Sequence, residues 1–170
     1  MQVQKQQGLS LIELMIALAL GAIVIFAAIG NFGSTSAQAD IDKEVRALQT
    51  LAPLVKQTFG TAQGNYTGLT NSVMLDSSNF PTTMRAGAGE IRHSWRNDGV
   101  VLAPITINST DDGFTLTYRD VPSDACQDFV GRVYRFFYET AVEGSVVNNL
   151  GQINTQCNAS DPADIVFTVR

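Results

Sequence analysis

The chain has 170 residues, a net charge of −5 and a pI near 4.7, with 45% apolar and only 16% charged side chains. Soluble domains carry about 25% charged residues, so this deficit points to a large uncharged segment. The acidic balance gives no sign of a broad nucleic-acid surface of the counterion-releasing kind, and two cysteines with one histidine cannot build a four-ligand zinc site.

Met1–Gly8 is short and polar, with Lys5 and four glutamines but no acid. From Leu14 to Ala39 no residue is charged. A membrane-crossing helix needs ~20 apolar residues, and Leu14 to Phe32 nearly fills that length. A basic head before an apolar run is also the pattern of a cleaved secretory signal. Against that reading, the run is too long for an h-region, Glu13 stands inside its start, and the helical pattern continues with no small-residue cleavage site.

The string Gly8-Leu9-Ser10-Leu11-Ile12-Glu13-Leu14 resembles the prepilin peptidase site of type IV pilins and their relatives. The resemblance implies cleavage after Gly8, a methylated new N-terminus at Leu9, and Glu13 as the family's assembly acid. A carboxylate in hydrocarbon costs several kcal/mol without a partner. Glu13 either reaches water at the membrane interface or pairs with the α-amino group of Leu9 on a neighbouring subunit. That amine has a pKa of ~7.7–8.0 and is cationic at neutral pH.

The helix is predicted to run on, with Ile41, Val45, Leu48, Ala52, Val55 and Phe59 forming one face. Asp42, Lys43, Glu44 and Arg46 are assigned to a solvated or inter-subunit face. Pro53 should kink the helix or mark its last turns. Gly21, Gly30 and Gly33 weaken it by about 1 kcal/mol each relative to alanine. They permit either local unwinding in a filament or close helix packing through small residues.

Gly60 to Thr70 is turn-rich and ends the helix. A short helix is expected about Val73–Leu75, an extended or turning segment at Phe80–Met84 and a flexible link at Ala86–Gly89. The period then changes to two residues. Strands are expected at Ile91–Trp95, Val100–Leu102 and Ile105–Ile107, broken by Asn97-Asp98-Gly99 and by Pro104. Asn108–Asp112 reads as a turn, and Phe114–Tyr118 is the cleanest strand. A helix with Ser123 as N-cap follows, then an aromatic strand at Tyr134–Thr140, a short segment at Ser145–Val147 and a last strand at Ile165–Val169. The fold class is therefore α+β: a long N-terminal α-helix packed against an antiparallel β-sheet head.

The order of Trp95, the Phe114–Tyr118 strand, Val121-Pro-Ser-Asp-Ala-Cys126, a distant Cys157 and a last aliphatic strand is similar to type IVb pilins, including those of conjugative thin, toxin-coregulated and bundle-forming pili. The eight-residue leader is shorter than many type IVb leaders. The resemblance implies four parts: leader 1–8, transmembrane or filament-core helix 9–33, amphipathic helix 34–59, and a head at 60–170. It pairs Cys126 with Cys157; in an exported chain a disulfide is also the expected fate of two cysteines, against two buried thiols. The bridge would hold an edge-forming C-terminal segment.

The function implied is a filament subunit, held in the inner membrane and then polymerised with identical subunits outside the cell. The implied partners are the prepilin peptidase, the inner-membrane assembly platform and membrane lipid, with a host receptor, DNA or phage as ligands of the head. A minor pilin or a type II secretion pseudopilin would share the same N-terminus. No cofactor or catalytic constellation is expected. The cluster Arg92, His93, Trp95 and Arg96 could bind DNA or glycans, but reads better as a strand with exposed arginines. Asn65, Asn108 and Asn158 begin glycosylation tripeptides, a weak signal. Asp111-Asp112 and Asp161 with Asp164 suit turns or caps better than calcium.

Overall fold

The computed structural model describes residues 11–60 and 65–170; within the first helix it describes side chains at 15, 16, 18, 19 and from 36 onward. The chain divides into two units, Met1–Gln38 and Ala39–Arg170. Helix α1 (Leu11–Val55) begins in the first and continues into the second. Gly21, Gly30 and Gly33 are helical. Gly8 and Leu9 lie outside the described residues, as does the side chain of Glu13. Among the described residues no helix is long and apolar enough to cross a membrane; the run at 14–32 falls mostly on side chains outside that description.

Pro53 stands in the last α-helical turn, and a five-residue π-helical turn, Lys56–Gly60, follows. Pro53 has no N–H to give the Gln49 carbonyl, and within a turn of that missing bond the regular ladder gives way to the wider π spacing. Then come α2 (Asn71–Asp76), capped by the Thr70 hydroxyl, and a 3₁₀ turn at Thr82–Met84.

Seven antiparallel strands follow: β1 (Arg85–Gly87), β2 (Glu90–His93), β3 (Arg96–Ile105), β4 (Gly113–Val121), β5 (Glu139–Val142), β6 (Ser145–Val146) and β7 (Ala163–Val169). Their order in the sheet is β1-β2-β3-β4-β7-β5-β6. Helix α3 (Ser123–Val133) lies between β4 and β5 in sequence, and α4 (Leu150–Ala159) between β6 and β7.

Phe114, Leu116 and Tyr118 of β4 and Ile165, Phe167 and Val169 of β7 alternate onto a buried face. They share one core with Ile41, Leu48, Leu51 and Val55 of α1, Phe59 of the π-helical turn, and Phe129 and Val130 of α3. Phe129 meets Tyr118 and Phe167 at ring-centroid distances of 5.2 and 5.7 Å.

Several expectations are corrected. The segment Ala86–Gly89 is not a link: Ala86 and Gly87 belong to β1, and Gly89 turns the chain with φ +81°. The β2–β3 turn is Ser94-Trp95, since His93 pairs with Arg96, and Asn97-Asp98-Gly99 lies within β3. Pro104 does not break β3. The Leu102 N–H points away from β4, to Asn71 Oδ1 at 2.8 Å; Pro104, two residues on, points the same way and removes no bond to β4.

Ser123 is the first helical residue rather than the cap. Its N–H is satisfied by Asp161 Oδ1 at 3.1 Å. The aromatic run Tyr134–Phe136 is a 3₁₀ turn, and the strand starts only at Glu139. Glu143 and Gly144, at φ +50° and +72°, form the tight β5–β6 turn. Finally β7 is central, between β4 and β5, so the segment after Cys157 does not form an edge.

Candidate functional site

The buried stripe of α1 follows Ile41, Glu44, Leu48, Leu51, Val55 and Phe59. Glu44 is therefore not on a solvated face: it is 2% exposed. Its Oε1 accepts the Ser94 backbone N–H at 2.8 Å and the Ser94 hydroxyl at 2.7 Å. Lys43 Nζ donates to the same hydroxyl at 3.2 Å. Glu44 Oε2 and the Tyr118 hydroxyl are buried without a hydrogen-bond partner. Burial raises the pKa of Glu44, with the Ser94 bonds opposing. Burial, and secondarily the Glu44 charge, raises that of Tyr118 well above its usual value.

His93 is also buried, and both its ring nitrogens are engaged within the head. Its Nδ1 accepts the backbone N–H groups of Trp95 and Arg96, each at 3.1 Å. Nε2 must then carry the proton and donate to the Arg119 carbonyl, 2.8 Å away. The ring stacks on Tyr118 at 5.4 Å and 16°. Burial lowers its pKa. Arg96 is committed to Asp98 and Asp120. Of the basic cluster only Arg92 is left exposed.

Two concavities flank α1 in the head. One, of about 340 Å³, is lined by Lys43, Arg46, Thr50, Thr83 and Arg92 above Glu44 and His93. The other, of about 510 Å³, is apolar: Leu48, Ala52 and Pro53 form one wall, Val133, Phe136, Phe137 and Val169 the other. Phe136 is 73% exposed at its lip, an unusual position for a large apolar ring. In the other unit Met15, Ile16 and Leu18 are likewise exposed.

Cys126 of α3 and Cys157 of α4 are joined, with an S–S distance of 2.04 Å, and both are buried. Asp112 closes the loop before β4, accepting the N–H groups of Ile107 and Asn108, which lowers its pKa. Asp164 Oδ1 accepts the Asp120 N–H, and Glu143 Oε1 accepts the Asp164 N–H. Asn65 Oδ1 accepts the Thr67 N–H. These acids and this asparagine serve turns and caps.

Sequence reasoning missed α4 and the inward turn of Glu44. For α4 the signal was Asn149 with Gln152 three residues on: the Asn149 side chain accepts the Gln152 N–H at 3.0 Å. For Glu44 it was the spacing itself.

A family model described as PilS N terminal matches residues 38–170, and one described as a prokaryotic N-terminal methylation motif matches residues 3–29. No curated protein matches the sequence. Two solved structures are similar in fold. A type IV b pilin from Salmonella typhi has 19% identity and a TM-score of 0.57, over 74% of this chain and 97% of that one. TcpA, a type IV pilin from Vibrio cholerae El Tor, has 13% identity and a TM-score of 0.58, over 78% of this chain and 99% of that one.

Proposed function

The chain belongs to the PilS family and is a pilus subunit, and from that premise we propose how it assembles. Prepilin peptidase cuts after Gly8, and Leu9 becomes the methylated N-terminus. Residues 9–33 hold the subunit in the inner membrane until the assembly platform draws it out. Residues 34–59 are the spine of the head, and 60–170 complete it. The product is an extracellular homopolymer of type IVb-like character, whose surface would serve adhesion, aggregation, conjugation, or DNA or phage contact.

The observation that carries this reading is the apolar surface the lone subunit leaves in water. Met15, Ile16 and Leu18 are 63%, 56% and 67% exposed. Each such side chain contributes about 1.5–3 kcal/mol when buried, which membrane lipid or neighbouring subunits supply. The apolar groove beside Pro53 is placed to take the helix of another copy. Glu13 sets the axial register by pairing with the neighbour's Leu9 amine, because an unpaired buried charge destabilises other offsets by about 3–5 kcal/mol. The test is Glu13→Ala: export and membrane insertion should persist while filament growth slows or stops. Normal piliation by the variant would sink the assignment.

A further inference from the structure

The 340 Å³ concavity asks for a different partner surface from the apolar groove. Lys43 and Arg46 stand one turn apart on α1, and Arg92 projects from β2; all three are exposed and line the same 340 Å³ hollow. Arg46 Nε reaches only its own helix, at the Asp42 carbonyl, and Lys43 the Ser94 hydroxyl. The acid in the hollow, Glu44, is buried and holds Ser94. Three cations thus converge on a chain whose net charge is −5.

Carboxylates gather elsewhere on the head, where α3, β4 and the α4–β7 loop meet. Asp161 binds the Ser123 N–H beside Asp124, Asp164 binds the Asp120 N–H, and Glu143 binds the Asp164 N–H. Asp124, Glu143, Asp161 and Asp164 are all exposed. This corner shares no residue with the cationic hollow. Two acidic copies repel each other unless patches of opposite sign are brought into register. A contact between two different patches of one molecule is heterologous, and repeated without closure it generates an open helix.

We propose that the hollow formed by Lys43, Arg46 and Arg92 receives the Asp124–Asp161 corner of a second copy, fixing the lateral packing of heads in the filament. This rests on the pilin reading above, and concerns the heads rather than the apolar helices. The test uses the full chain in its native host background. Arg92→Glu and Asp124→Lys should each lower surface filament yield by roughly tenfold, and the two together in one chain should restore most of it, as expected for a charge pair across an interface. Arg46→Glu with Asp161→Lys repeats the test on a second pair. Subunit levels and thermal unfolding of the membrane-held precursor establish that each single variant still folds. Full filament yield from the single reversals overturns the proposal, including the case in which they lose only binding to duplex DNA. Failure of both double reversals to rescue also overturns it. The pilin reading falls separately, if Glu13→Ala assembles normally.

Discussion

Glu44 on α1 and Ser94 in the β2–β3 turn are 50 positions apart and joined by two hydrogen bonds to one carboxylate oxygen. The pair anchors the spine of the head to a turn whose other residue, Trp95, packs on Phe129. It does so with a buried charge, the costlier of the two ways to satisfy a turn.

Replacing that charge should therefore stabilise the head. Glu44→Gln keeps an oxygen for Ser94 and removes the buried charge. We expect a gain of about 1 kcal/mol near pH 8, read by urea unfolding in detergent, whereas Glu44→Ala should cost about 1–3 kcal/mol by stranding the Ser94 N–H. The wild-type acid has a folded pKa above its ordinary 4.5. The folded state then binds the proton more readily, so the penalty is present above the raised pKa and is relieved as pH falls through it. Glu44→Gln should abolish that part of the pH profile.

His93 has the opposite sign. Its folded pKa is below 6.5, so the unfolded chain protonates first. Stability is lost as pH falls below 6.5 toward the folded value. Protonation would also set an Nδ1–H against two N–H donors. Imidazole NMR should show a neutral Nε2–H tautomer at pH 7, and His93→Asn should flatten the acid limb of the stability curve.

Much of the fold was legible. The alternation of Phe114 to Tyr118 named β4, and the apolar stripe named the spine. The stripe was legible at Ile41, Leu48, Val55 and Phe59, with Val45 and Ala52 at its partly buried margin; Glu44 was passed over because an acid in a helix reads as solvated. Asn97-Asp98-Gly99 imitates a hairpin turn, but its glycine is there for a neighbour. Ser94-Trp95 has neither glycine, proline nor asparagine to mark a turn, and its geometry comes from Glu44 and His93, contacts no local pattern contains. Helix α4 was missed because only Ile153 and Cys157 of its ten residues are buried. The cationic hollow was not legible at all, since Arg92 and Arg46 meet only through the tertiary fold.

That neighbour makes Gly99 intolerant of any side chain. A Cβ at position 99 would fall 2.1 Å from His93 Nε2. His93 is held on both ring nitrogens and cannot swing away. Gly99→Ala should cost about 1–3 kcal/mol, the usual penalty of overpacking. Gly99→Ala combined with His93→Ala should recover part of the loss in the same unfolding assay.

The Cys126–Cys157 bridge closes a separation of 31 residues. In the loop-entropy model it stabilises by about 3–4 kcal/mol. Because it ties α4 to α3 and leaves the β4–β7 ladder to its own hydrogen bonds, Cys157→Ser should speed amide exchange first at Leu150–Ala159. Protection along Phe114–Tyr118 should fall only by the global loss.

Phe136 offers a test of the apolar groove. Being 73% exposed, it can be made Asp with little change in subunit stability, within about 0.5 kcal/mol. Filament yield should nonetheless fall if the groove is filled by another copy. Unchanged yield would leave the groove outside the assembly.

The central place of β7 has a consequence in time. Strands β5 and β6 join the rest of the sheet only through β7, which is made after all of them. The head cannot close while Ala163–Val169 is still being translated or exported. Until then the longest strands, β3 and β4, wait with the β4 edge open. The strand order thereby makes β7 the piece without which β5 and β6 have no place in the sheet.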